Sequence, residues 1–254
     1  PLWSRGLGDV YKRQPYSISN MNSFEFSLSE EFSVLAEETT DSFIRTSYWF
    51  SDFLFFASRL TLTLISGDVF VSSPFWAKIF SKIGPLLEIG SFCGKSSIYL
   101  GLAAKEEDQV VFTIDHHKGS EEHQLNEEYF DYEIYDENLK TVNTFPLFLK
   151  NIRIFDLEDS VIPIVSSSAS VAKGWNKNLG MVFIDGSHSL ESASLDYESW
   201  ESHIKNGGAL VIHDIFEDPN LGGQAPYEIY KRALNDGYKL YERVDTIVCL
   251  TKDF

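Results

Sequence analysis

From Gly84-Pro85 onward the chain alternates short apolar runs with stretches of helical periodicity, and this alternation restricts it to a parallel sheet with helices packed on its faces. The runs are Leu86 to Ile89, Val110 to Ile114, Val161 to Val165, Met181 to Ile184 and Ala209 to Ile212. Between the last two, Leu190, Ala193, Tyr197, Trp200 and Ile204 recur at three- and four-residue steps, so one helical face is apolar. Asn206-Gly207-Gly208 supplies the helix stop. The segments YKLYERV and TIVCLTK flank Asp245, are rich in β-formers, and read as an antiparallel pair closing a sheet edge.

These elements predict an α/β fold: a Rossmann-like parallel sheet of about seven strands with a C-terminal antiparallel strand and helices on both faces. A chain of 254 residues with 43% hydrophobic content supports one substantial core. Residues 1–20 open without Met and share no pattern with the rest of the chain. They are read as a non-native or disordered leader, with the native start expected at Met21. Residues 21–80 are expected to form a helical extension serving as lid or homodimer surface, and 81–254 the Rossmann-like domain. The apolar run at 48–65 is interrupted by Asp52 and Arg59, which disfavours a membrane span and favours a buried helix or lid.

The formal charge of -17 has the wrong sign for nucleic acid or an anionic membrane, and directs attention to a small neutral or cationic partner. Cys93 and Cys249 provide neither a disulfide framework nor a metal spacing, which suits the cytoplasm.

The stretch LLEIGSFCGKSS carries the first functional signal. Its Gly-Lys-Ser at 94–96 is shared with phosphate-binding P-loops, but such a loop needs four residues between its glycines. Only Ser91, Phe92 and Cys93 separate Gly90 from Gly94. Glu88 at the strand end would repel a polyphosphate and suit a ligand with a cationic amino group or a hydroxyl. A P-loop-like nucleotide hydrolase and a catalytically silent cofactor-binding protein are the rival readings.

In open α/β sheets ligands bind beyond the carboxyl ends of the strands. There the sequence places Glu88, Gly90 and Ser91; Asp115, His116 and His117; Ser166 to Ser168; Asp185 and His188; His213 and Asp214. The E-x-G-x-x-x-G-x-S pattern beginning at Glu88 resembles the first motif of class I S-adenosylmethionine-dependent methyltransferases, especially the catechol O-methyltransferase-like branch. The stretches DHHKGSEEHQ and FIDGSHSLESASLDYESW are similar to those of bacterial small-molecule methyltransferases, and the resemblance covers roughly residues 70–254.

The resemblance implies a cofactor site for S-adenosyl-L-methionine formed by Glu88, Gly90, Ser91, Phe92, Gly94, Ser96, Asp115, His116, Ser168 and Asp185. Within it, Gly90 and Ser91 approach the methionyl part and Ser96 binds its carboxylate at a helix start. Asp115 accepts the ribose hydroxyls, while His116 and Ser168 lie at the adenine. It further implies that Asp185, His213 and Asp214 hold a divalent metal, Mg, Mn or Zn, with an imidazole where relatives carry a carboxylate. His188 falls where catechol-type enzymes place a lysine base, so His188 and Asp185 are the candidate catalytic residues. The acidic insertion at 116–140 is expected to cover the cofactor edge, with His117, Glu121, Glu122 and His123 lining an acceptor pocket. The predicted activity is methylation of a small-molecule acceptor, at oxygen, with metal assistance as an option.

Overall fold

The computed structural model describes residues 69–252 except 121, 122, 126, 128, 129 and 188. The expectations for 1–20, for 21–68 and for Glu121, Glu122 and His188 lie outside the described residues. The chain from Gly67 to Phe254 is one compact unit.

The unit begins with α1 (Val69–Ser81), which inserts Trp76, Ala77 and Phe80 into the core. β1 (Leu86–Ile89) follows, then the glycine loop, α2 (Lys95–Glu106) and β2 (Val111–Asp115). The insertion after β2 is not featureless. It contains a 3-10 turn at Tyr132–Ile134 and a short hairpin of β3 (Tyr135–Asp136) and β4 (Thr141–Val142). Next come α3 (Phe145–Ile154), β5 (Val161–Val165), α4 (Ser168–Ala172) and β6 (Leu179–Ile184). The chain continues through α5 (Leu190–Trp200), β7 (Ile204–Ile212), α6 (Ala225–Asn235), β8 (Lys239–Val244) and β9 (Ile247–Thr251).

Seven strands form one sheet in the order β5-β2-β1-β6-β7-β9-β8. β5 to β7 run parallel across β2, β1 and β6. β9 enters antiparallel between β7 and β8, and Val244 pairs with Ile247 across a tight turn at Asp245. The expected antiparallel C-terminal closure is therefore present. After β1 the chain builds outward through β2 and β5, then returns to β1's other side with β6. The switch point, and with it the natural ligand crevice, lies at the carboxyl ends of β1 and β6.

Alternation along the strands divides the core between the two sheet faces. Leu87, Ile89, Val182, Ile184, Leu210 and Ile212 meet Tyr197 and Trp200 of α5 on one face. Leu86, Met181, Phe183, Ala209 and Val211 meet Trp76, Phe80, Leu100 and Ala104 of α1 and α2 on the other. Glu88 shares the parity of Leu86, and its side chain meets α2.

One boundary differs from expectation. α5 ends at Trp200, a 3-10 turn spans Glu201–His203, and β7 starts at Ile204, so Asn206-Gly207-Gly208 lies inside the strand. Ile204 pairs with Leu179 before a register shift, so it extends the sheet instead of the helix. No helix among the described residues is long and apolar enough to cross a membrane.

Candidate active site

The glycine loop crosses the end of β1 in a conformation its own hydrogen bonds maintain. Gly90 has φ 89°, and a Cβ there would fall 2.1 Å from the Asp185 carbonyl oxygen, so only glycine lets the loop pass this close to the end of β6. The Gly90 N–H donates to the Ile114 carbonyl (3.0 Å), and the Gly94 N–H to that of Ser91 (2.7 Å). The Phe92 N–H donates to Asp115 Oδ2 (2.7 Å), and Asn151 Nδ2 in α3 donates to the Cys93 carbonyl (2.8 Å). A triphosphate cradle needs free N–H groups turned toward the ligand. Here three of them are already engaged, one by a carboxylate.

Glu88 is fully buried. Ser97 Oγ donates to its Oε2, and Oε1 has no hydrogen-bond partner among the described residues. Burial raises its pKa to about 8 against the hydroxyls of Ser96 and Ser97, which lower it, and the charges of Asp185 and Asp115 push it further up. Three carboxylates from the ends of β1, β2 and β6 thus share one electrostatic environment. Ser91, at the start of the loop, is also buried, and its Oγ has no partner among the described residues.

Asp115 ties the neighbouring strand end to this loop. Its Oδ2 takes the Phe92 N–H and its Oδ1 takes the His117 N–H, each at 2.7 Å. The carboxylate remains partly exposed, and each oxygen retains a lone pair for a ligand hydroxyl. His116 is exposed beside it, with Nδ1 accepting the Lys118 N–H. His117 departs from the sequence-based placement at a pocket wall. Its ring is buried, packs against Phe145 and Phe148, and pairs through Nδ1 with Thr144 Oγ1 at 2.7 Å. Burial, partly offset by Asp115, lowers its pKa. His123 lies against the glycine loop: its ring is 4.9 Å from that of Phe92.

At the end of β5, the Ser166 N–H donates to the Asp115 carbonyl, bringing the following turn beside β2. Ser168 is buried there and donates its Oγ–H to Asp196 Oδ1 of α5. Asp196 is itself buried, and burial raises its pKa to about 6 against the lowering effect of that hydrogen bond.

The far rim carries the Asp185, His213 and Asp214 group. His213 Nδ1 lies 2.8 Å from Asp185 Oδ1 and 3.6 Å from Asp214 Oδ1. Ligand atoms of all three lie within 4.8 Å of one another. Burial works to lower the His213 pKa, but the hydrogen bond to Asp185 and the charges of Asp185 and Asp214 outweigh it and raise the pKa to about 9, against an opposing effect of Lys95. Asp214 holds φ 58°, a left-handed conformation that carries strain in a non-glycine residue. A small cleft beside this group is walled by Gly186, Ala193, Pro226 and Ile229.

The profile of a family described as "Methyltransferase domain" matches residues 87–215, which spans the glycine loop, Asp115, Ser168 and the Asp185/His213/Asp214 rim. The chain belongs to this methyltransferase family. Solved structures of the same fold are distant in sequence. The O-methyltransferase NovP superposes with a TM-score of 0.55 at 16% identity, covering 73% of this chain and 79% of its own. The S-adenosylhomocysteine-bound methyltransferase PaMTH1 of Podospora anserina gives 0.50 at 12%, covering 92% and 100%. An rRNA methylase of Streptococcus thermophilus gives 0.50 at 11%, covering 76% and 100%. These likenesses establish the class I methyltransferase fold, and their different acceptors show that the fold alone does not choose one.

In this methyltransferase the structure brings Glu88, the glycine loop and Asp115 together, and gathers Asp185, His213 and Asp214 at one rim. Three supporting residues escaped the sequence reading: Ser97, Asn151 and Asp196. Asp196 alone left a trace, because it is an acid on the buried side of α5, between Ala193 and Trp200.

Proposed function

We propose that this methyltransferase transfers the methyl group of S-adenosylmethionine to a hydroxyl oxygen of a small-molecule acceptor. The observation that carries the reading is the convergence of Glu88, Asp115 and Asp185 at neighbouring strand ends, where burial raises the Glu88 pKa and the charges of Asp185 and Asp115 add to the rise. The Asp115 and Asp185 carboxylates of this crevice attract a sulfonium and an ammonium and repel a phosphate chain. Within it, Asp115 receives the ribose hydroxyls, the turn at Ser168 meets the base with His116 at its edge, and the start of α2 at Ser96 receives the methionyl carboxylate. The backbone of Gly90, Ser91, Phe92 and Gly94 follows the tail. The formal charge of -17 favours a small acceptor over nucleic acid.

The transfer is an in-line displacement. The acceptor O–H gives its proton to a base, the oxygen forms a bond to the methyl carbon, and the C–S bond breaks with its electron pair going to sulfur. The products are the methyl ether, neutral S-adenosylhomocysteine and the protonated base. His188, three residues beyond Asp185, is the proposed base. A protonated His213, held by Asp185 at 2.8 Å, offers positive potential to the oxygen as its negative charge develops.

The same rim suits a divalent cation in spacing and donor type, with one imidazole favouring Mn or Zn over Mg. A cation held there by Asp185, His213 and Asp214 would lower the acceptor hydroxyl's pKa and orient it.

Calorimetric titration with S-adenosylmethionine and S-adenosylhomocysteine tests the cofactor, and a methyl-transfer screen over phenols, catechols and aliphatic alcohols, with and without chelator, tests the acceptor class. Binding of ATP without binding of either adenosyl compound would sink the reading.

A further inference from the structure

The hydroxyl of Ser168 has a fixed polarity. Its hydrogen is committed to Asp196 Oδ1, reached from α5, a helix 28 positions further along the chain. Both partners are buried, so no bulk water competes for that hydrogen. A serine whose proton is spoken for has only lone pairs to offer a ligand. On its other side Asp196 lies against Gly186. Gly186, in the turn following β6, leaves room for its Oδ2, which lies 3.1 Å from where a Cβ at that position would be. The turn at Ser166–Ser168 is in turn bonded to Asp115 through the Ser166 N–H. The turn that carries Ser168 therefore lies beside the end of β2, next to the residue whose carboxylate is assigned to the ribose, and it is the element the cofactor reading assigns to the attached base.

We infer that Asp196 is a positioning residue that makes Ser168 an obligate hydrogen-bond acceptor, and that this pair selects a 6-amino purine over a 6-keto purine on the cofactor. The inference rests on the cofactor reading above. An exocyclic amino group donates to the Ser168 oxygen. A keto oxygen at the same place sets acceptor against acceptor and leaves both unpaired in a dry site, an arrangement that binding sites reject strongly.

The test compares two probes, S-adenosylhomocysteine and its 6-keto analogue S-inosylhomocysteine, by calorimetry on the wild-type chain and two variants. Wild type is expected to prefer the amino compound by at least about tenfold. In Asp196→Ala the Ser168 hydroxyl rotates freely and the preference falls toward unity, with thermal melting confirming the fold. In Ser168→Ala, which removes the oxygen itself, the preference falls likewise. A merely structural role for the pair would weaken both probes equally and leave their ratio unchanged. An unchanged ratio in either folded variant, or a wild-type preference for the keto compound, overturns the inference while leaving cofactor binding intact. Failure of wild type to bind S-adenosylhomocysteine at all overturns the cofactor reading beneath it.

Discussion

Asp115 Oδ2 and the backbone N–H of Phe92 are 2.7 Å apart, so the carboxylate at the end of β2 and the glycine loop after β1 form a single unit. The same carboxylate holds the His117 N–H through Oδ1. Asp115→Ala should therefore do more than delete a ribose contact, since it releases two backbone donors. We expect S-adenosylhomocysteine affinity to fall by at least about tenfold and stability by about 1–3 kcal/mol. Asp115→Asn, with one acceptor oxygen left, should be intermediate in both. Calorimetry and urea denaturation read the two effects, and full affinity in Asp115→Ala would remove this residue from the site.

Glu88 should make the fold sensitive to pH. Burial raises its pKa from near 4.5 when unfolded to about 8 when folded, so between those values the native state holds a proton that the unfolded chain has lost. The associated stability is fully present below about pH 4.5 and disappears as pH rises through about 8. Glu88→Gln keeps the neutral shape without the titration. Its melting temperature is expected to exceed that of wild type at pH 8 by about 5 °C, with the gap closing toward pH 4.5. A constant gap across that window would mean that Glu88 does not titrate there.

What the sequence revealed depended on the range of the interaction. β1 and β5 begin and end where their apolar runs do, because a run of buried side chains is a local property. The strand-end acids were also legible, since the parallel topology sends every strand's carboxyl end to one side. The start of β7 was not, because Gly207 and Gly208 mark an absence of side chains and leave open whether the backbone there stops a helix or pairs in a sheet. His117 was misplaced for a related reason: Phe145 and Phe148, which bury it, lie on α3 beyond the whole insertion. The Ser168–Asp196 pair joins two elements by one hydrogen bond, and no periodicity encodes such a partnership.

The Asp185–His213 contact yields a pH effect in a higher window. His213 is raised to about 9 by its two carboxylates despite its burial. The stabilisation from the protonated pair is complete below the unfolded value near 6.5 and lost as pH climbs through about 9. Asp185→Asn removes the charge and one of the two accepting oxygens, and should bring the His213 titration back below about 7 in a metal-free NMR titration of its ring protons. If the rim takes Mn or Zn, binding must displace the imidazole proton, so affinity should rise by about tenfold per pH unit below about 9. Affinity independent of pH would mean that His213 is not a ligand.

Gly90 gives the most stringent check on the crevice. Its φ of 89° lies where side chains are strained, and an added Cβ would sit 2.1 Å from the Asp185 carbonyl oxygen and 2.8 Å from Gly186 Cα. Both obstacles are backbone, so no rotamer change relieves them. The loop must instead retreat from the end of β6, stretching the Asp185 N–H to Ile89 carbonyl bond of 2.9 Å that joins the two strand ends. Gly90→Ala is expected to cost at least about 3 kcal/mol in urea denaturation and to abolish cofactor binding in whatever folded fraction survives. Gly174→Ala is the matched control, because its Cβ would meet nothing closer than 4.0 Å and its φ is not left-handed. Equal stability of the two variants would show that the loop does not approach β6 as closely as the switch point between β1 and β6 requires.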